Sequence, residues 1–226
     1  MKKAILFGAS GFIGSCLLHD LLENKDYEQV SVVVRKTLGL KHPKLKELTG
    51  DYHTLNVLKG KIEADEIFLA LGTTRAKTPD SGQYYEIDHD YPVAAAKMAR
   101  EAGAGSVFVV TAVGANANSG IFYTRTKGET ERDIIALNFE RTGIFRPSMI
   151  MGERKESRRF EKILIKVWGF INPLLIGNSL KKYRGIVGQD VATAMMNAAK
   201  NQKEKVKIFH WEEMTGLLKV DRVGSS

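Results

Sequence analysis

The chain has 226 residues, 43% of them hydrophobic and 27% charged, a length and balance that suit one globular core with no need of a disulfide or structural metal. Its one cysteine, Cys16, excludes an intramolecular disulfide framework and suits a reducing cytoplasm, and the apolar runs fall short of the roughly 18 residues of a membrane span. Lys and Arg number 34 against 26 Asp and Glu, a net charge of +8, but the basic clusters (residues 154–159, 181–184 and 200–207) are short, broken by other residues and accompanied by no nucleic-acid-binding motif, so they read as solvated surface.

In chain order, Gly8 comes so soon after Met1 that Ala4-Ile5-Leu6-Phe7 reads as a buried first strand and not as a signal-peptide core. Leu17, Leu18, Leu21 and Leu22 have helical spacing within a helix over 12–24. Val30-Ser31-Val32-Val33-Val34 is a second strand, a short third lies near Leu48, and Ile67 to Leu71 form a fourth. An Ala-rich helix over 93–102 stops at Gly103. A fifth strand at 107–110 precedes a helix over 122–137, and Gly143-Ile144-Phe145 is a sixth strand stopped by Pro147. A helix over 191–200 and a strand at 206–209 close the pattern.

Strands alternating with helices predict βαβ units, hence an α/β fold with a doubly wound parallel sheet of six or seven strands. Residues 151–188 break the rhythm. We read 1–226 as one Rossmann-type domain whose segment 151–188 is a small helical and loop lobe on the substrate side, with an apolar stretch at 160–176.

Gly8-Ala9-Ser10-Gly11-Phe12-Ile13-Gly14 follows the first strand and opens the first helix. Gly8 permits the turn, Gly11 lets backbone approach a pyrophosphate, and Gly14 lets the helix pack close to the strand. Ser10, Phe12 and Ile13 complete the expected phosphate loop. Tyr123 and Lys127, at i and i+4 on one helix face, pair a phenol with an ammonium that would stabilise its phenolate. Thr111, at the end of the fifth strand, offers a hydroxyl to a substrate carbonyl.

The glycine loop, Thr111 and the Tyr-x-x-x-Lys pair together resemble the short-chain dehydrogenase/reductase superfamily, in its atypical, extended-like branch. The likeness to Tat-interacting-protein-type oxidoreductases rests on Leu71-Gly72-Thr73-Thr74-Arg75, Asp88-His89-Asp90-Tyr91, Tyr123 through Lys127-Gly128-Glu129, and Phe145-Arg146-Pro147. The resemblance implies Tyr123 as general acid in carbonyl reduction and Lys127 on the nicotinamide ribose. It implies Leu71, Gly72 and Thr73 along the cofactor, and the backbone of Arg146 and Pro147 near the carboxamide. The family's serine position falls at Thr111, the next position is Ala112, and the helix Asn of many relatives is matched by Asp88.

Arg35 and Lys36 follow the second strand, where no acid stands to select NAD(H). A guanidinium there suits the 2′-phosphate of NADP(H), with Ser10 beside it and Asp51 toward the adenine, so NADP(H) is expected over NAD(H). Five histidines without ligand spacing, and the absence of a P-loop or a nucleophile elbow, point away from metal, ATP and serine-hydrolase chemistry. The residues after 150, about 75 of them, form a smaller lobe than sugar-nucleotide epimerases of the same fold usually carry, which points away from a bulky nucleotide sugar as substrate. The expected function is NADP(H)-dependent oxidation or reduction of a small carbonyl or alcohol. The alternative is an NADP(H)-binding regulator acting through a protein partner with little turnover.

Overall fold

The computed structural model describes residues 1–152 and 178–223. The basic run at 154–159 and the apolar stretch at 160–176 lie outside the described residues, and so does most of the proposed lobe. Among the described residues β1 (Lys2–Phe7), β2 (Tyr27–Val34), β3 (Leu45–Thr49), β4 (Glu66–Leu69), β5 (Ser106–Val110), β6 (Arg141–Phe145) and a last strand (Val206–Phe209) form one seven-stranded sheet. Its order is β3-β2-β1-β4-β5-β6-last strand, and every pairing is parallel. The sequence expectation of a doubly wound sheet is met.

Helices cover both faces, which is why the central strands β1, β4 and β5 are buried along nearly their whole length. Alternate residues of β1 go to opposite cores. Ala4 and Leu6 pack with α1 (Phe12–Glu23) and α5 (Gly188–Asn201), among Leu17, Leu21 and Met195. Ile5 and Phe7 pack with α3 (Tyr91–Glu101) and α4 (Phe122–Ala136), among Ala95, Ala99 and Ile134. The chain leaves β1 for β2 on one side and returns to β4 on the other, so order reverses at β1/β4. In such sheets that reversal opens a crevice at the carboxyl ends of the strands.

The helix expected from residue 93 starts earlier. Asp80 accepts a hydrogen bond from Gln83 N (2.8 Å) and caps α2 (Ser81–Tyr85), and a π-helical turn (Glu86–Asp90) then leads into α3. Two further elements are not indicated by the sequence pattern. Ile150–Met151 pairs with Ile186–Val187 as a small second sheet, β7 and β8, and the last strand, β9, continues into α6 (Trp211–Val223).

Candidate active site

The glycine turn sits at the crevice. Gly8 has φ +92°, a left-handed conformation, and a Cβ there would lie 2.5 Å from the Ala70 carbonyl oxygen at the end of β4. At Gly14 a Cβ would lie 2.0 Å from the Gly8 carbonyl oxygen, so helix α1 can approach the turn only without one. Gly11 is the N-cap of α1 and no side chain caps that helix, which leaves first-turn amides directed out of the helix end. A cradle that any Cβ would fill, at an uncapped N-terminus, fits a dinucleotide pyrophosphate. Ser10 is exposed there, and Ile13 is buried in the core. Phe12 turns its ring elsewhere: a Cβ on Gly152 or Gly188 would lie 2.3 or 2.5 Å from that ring, so Phe12 joins the glycine turn to β7 and α5.

Tyr123 and Lys127 lie on α4, with Tyr123 44% exposed and Lys127 buried. Lys127 does not pair with the phenol. Its Nζ lies 3.2 Å from Asp88 Oδ2, and both side chains are buried. The other oxygen of Asp88, Oδ1, accepts Thr73 N at 2.9 Å. Gly72 lies beside this group: a Cβ there would stand in ordinary contact with it, 3.4 Å from Asp88 Oδ1 and 3.8 Å from Lys127 Nζ. The phenol of Tyr123 is pushed above its ordinary value, first by burial of its hydroxyl and then by the Asp88 carboxylate. This corrects the expectation that Lys127 lowers it. Tyr84, which nothing in the sequence singles out, is buried with its hydroxyl on Asp88 and near Tyr123, and its phenol is raised too, chiefly by burial.

Thr111 is also placed differently from expectation. Its hydroxyl donates to Glu131 Oε1 at 2.5 Å, inside the protein, so its one proton is committed there and not to a substrate carbonyl. Glu131 in turn takes the fork of Arg146: Nε donates to Oε1 at 2.9 Å and Nη2 donates to Oε2. The backbone of the next turn is likewise occupied. Arg146 N donates to Phe209 O (2.9 Å), and Pro147 O accepts Val113 N (2.9 Å), so these groups stitch the strand ends together. Glu131 has no motif of its own, and only its i+4 offset from Lys127 marks its place on the same helix face.

At the far end of the crevice Arg35 and Lys36 are exposed just past β2. Gly50 N donates to Val34 O (3.0 Å), which brings Asp51, past β3, beside them. Asp51 Oδ1 accepts Thr54 N at 3.0 Å and Thr54 Oγ1 at 2.9 Å, and the Thr54 hydroxyl first of all holds the carboxyl below its ordinary value. The phenol of Tyr91 is pushed up to about 12, by burial and then by Asp51, with Arg35 opposing. Thr73 Oγ1 meets Thr78 Oγ1 at 2.8 Å, and Leu71 packs against the core. Thus the glycine turn, Leu71 to Thr73 and the Tyr123–Lys127–Asp88 group meet where β1, β4 and β5 end.

The NAD-dependent epimerase/dehydratase family matches residues 4–210. The chain belongs to that family. The mitochondrial protein FMP52 of Eremothecium gossypii is 30% identical over 227 residues, covering 96% of this chain and 97% of that one. Its counterpart FMP52-1 in Scheffersomyces stipitis is 32% identical over 234 residues, covering 96% and 99%. In fold the family member is similar to the Bordetella bronchiseptica enzyme WbmH in complex with NAD+, with TM-score 0.68 and 16% identity over all of this chain and 83% of that one. It is also similar to ADP-L-glycero-D-manno-heptose-6-epimerase of Helicobacter pylori, with TM-score 0.68 and 17% identity over 97% and 82%. The cytoplasmic expectation drawn from one cysteine is overturned, because these curated relatives are named mitochondrial proteins. A single thiol reports the lack of disulfides, and a compartment other than the cytoplasm can share that trait. Among the described residues no helix is long and apolar enough to cross a membrane, and no cluster of His, Cys, Asp or Glu could hold a metal.

Proposed function

We propose that this protein is an NADP(H)-dependent oxidoreductase that interconverts a small carbonyl compound and its alcohol. The observation that carries the reading is the convergence of Tyr123, on the rim, with the buried Lys127–Asp88 pair beside Gly72 and the glycine turn. The bound dinucleotide supplies or accepts the hydride. The loop of Gly8, Ser10, Gly11, Phe12 and Ile13 would hold its pyrophosphate with amides other than that of Gly11, which donates to Gly8 O (2.9 Å). Arg35 and Lys36 would hold its 2′-phosphate, and Asp51 its adenine side. Leu71, Gly72 and Thr73 would line its middle, with Lys127 at the nicotinamide ribose and the strand end at Arg146 and Pro147 beyond.

Tyr123 gives its phenolic proton to the carbonyl oxygen as the alcohol forms and takes it back in the reverse direction. Burial and Asp88 favour the protonated phenol, the form reduction needs. Asp88 fixes the Lys127 ammonium and the Thr73 amide in one place. Thr111 acts as a positioning residue, through Glu131 and Arg146, on the turn that bears the site.

The finer affiliation with the Tat-interacting-protein type rests on the quoted stretches from Leu71 to Pro147. The names of the curated relatives support a mitochondrial location for this chain. Arg35 supports preference for NADP(H) over NAD(H). A second reading, an NADP(H)-binding regulator with a protein partner, is favoured by the internal commitments of Lys127 and Thr111. Stopped-flow loss of NADPH absorbance against a panel of aldehydes and ketones separates the two. In Tyr123→Phe, turnover should fall roughly 10²–10⁴-fold with NADPH affinity unchanged. A variant as fast as the parent overturns the assignment, and tight NADPH binding without turnover of any panel member favours the regulator.

A further inference from the structure

Arg75 lies between β4 and α2, in the stretch that forms the rim beside Tyr123. Its guanidinium carbon stands 4.6 Å from the Phe122 ring centroid and 5.3 Å from that of Tyr84, and Phe122 adjoins Tyr123 at the start of α4. Nη1 donates to Pro79 O (2.9 Å) and Ser81 Oγ (3.0 Å). These bonds use one end of the guanidinium. The other edge, Nε with Nη2, is the fork that matches a carboxylate bidentately. Arg75 is solvent-exposed, and among the described residues no carboxylate pairs with it. Asp80, the nearest acid in that loop, is committed to capping α2. A second guanidinium, that of Arg125, lies 5.9 Å from the same Phe122 ring and donates to Ser119 O at 3.3 Å.

An arginine braced by two rings and two acceptors, with its fork open, has already lost the side-chain freedom that a binding contact would otherwise cost. Among the described residues no side-chain carboxylate pairs with this guanidinium, since Asp88 is paired with Lys127 and Asp80 caps α2. We infer that the substrate carries a carboxylate, held by the Nε–Nη2 edge of Arg75 while its carbonyl faces Tyr123: an oxo acid rather than a neutral aldehyde or ketone. This deepens the proposed oxidoreductase reading and rests on it for the carbonyl end alone. The anion end stands on Arg75 itself.

The test uses the full chain saturated with NADP+ and measures equilibrium binding of hexanoate against hexanol. The parent should bind hexanoate roughly 10–100-fold more tightly, the range of one charge-assisted bidentate contact. Arg75→Met should bring the two to parity, Arg75→Lys should keep part of the preference, and NADP+ affinity should not move. Equal binding in the parent, or a preference that survives Arg75→Met, overturns the inference. If Arg75→Met fails to fold, Arg75→Lys and the salt dependence of hexanoate binding to the parent decide, and a preference insensitive to both overturns it. Turnover of 6-oxohexanoate against hexanal separates this from the activity itself. Hexanoate binding that depends on Arg75, with neither carbonyl reduced, removes the oxidoreductase reading and leaves the anion site. Equal reduction of both keeps the enzyme and removes the anion site.

Discussion

The charge that Tyr123 feels is that of Asp88, and the cation one turn along its own helix is spent on the same carboxylate. Oxidation of an alcohol needs the phenolate, and a raised phenol pKa places the limb where that activity appears at high pH. Asp88→Asn removes the negative charge, so the phenol's pKa falls and the limb should move to lower pH. Lys127→Met should move it the other way. A pH–rate profile of the two variants checks both directions. Lys127→Met also leaves a buried carboxylate unpaired, which costs roughly 3–5 kcal/mol of stability. Combined with Asp88→Asn it should recover most of that loss, a coupling that denaturant titration of the double-mutant cycle reads directly. The i and i+4 spacing of Tyr123 and Lys127 was legible in the sequence. The direction in which the Lys127 ammonium points was not, because its partner comes from another helix.

Helix α4 is held at the site by a close approach and a bridge. A Cβ on Gly128 would lie 2.1 Å from Ala117 N and 2.2 Å from Asn116 C, so the loop after β5 rests on the helix backbone. Backbone cannot yield as a flexible side chain does. Gly128→Ala should therefore cost about 1–3 kcal/mol, a fall in melting temperature of roughly 2–12 °C by thermal scan, with lower turnover because Tyr123 shifts with its helix. On the other side, His89 in the π-helical turn reaches Asp90 (Nδ1, 2.7 Å) and Asp133 of α4 (Nε2, 2.9 Å), and its ring stacks on Tyr85. The same turn places Asp88 inward. A residue inserted as a π-helical turn inside a helix often marks a functional position, and here it aims adjacent side chains in different directions. The start of α2 was available in the sequence as Asp80 followed three residues later by Gln83, a capping signature. The π-helical turn had no such signal, since it depends on which neighbours the turn must reach.

Across the whole molecule, the crevice at the carboxyl ends of the strands lies opposite a polar network that ties the amino ends of β1, β2, β4 and β6. There Glu66, buried, accepts Lys2 Nζ (2.8 Å), Arg141 Nη2 (2.8 Å) and the Tyr27 hydroxyl (2.5 Å). The stability of this end and the ligand chemistry of the other are therefore separable. A ligand that binds only the folded state stabilises it by RT ln(1 + [L]/Kd), about 2.7 kcal/mol at a hundredfold excess over Kd. NADPH at that excess should raise the melting temperature by roughly 5–10 °C, and NADH at equal concentration should do less. Arg35→Ala should narrow the difference to near zero while leaving the unliganded melting temperature in place. An equal response of the parent to both cofactors would show that Arg35 selects neither.

The sequence by itself determined the sheet, the glycine turn and the helix bearing Tyr123 and Lys127. These follow from local rules: apolar runs of strand length, helical spacing of Leu17, Leu18, Leu21 and Leu22, and a turn after β1 that only glycine can make. What the tertiary structure alone decided is the partner of each polar group. Asp88 meets Lys127, Thr111 meets Glu131, and Arg75 rests on Tyr84 and Phe122, contacts that join residues from 9 to 47 positions apart. Such pairings follow from how elements pack across the crevice. A buried charge takes the nearest partner in space, and no periodicity along the chain records which one that is.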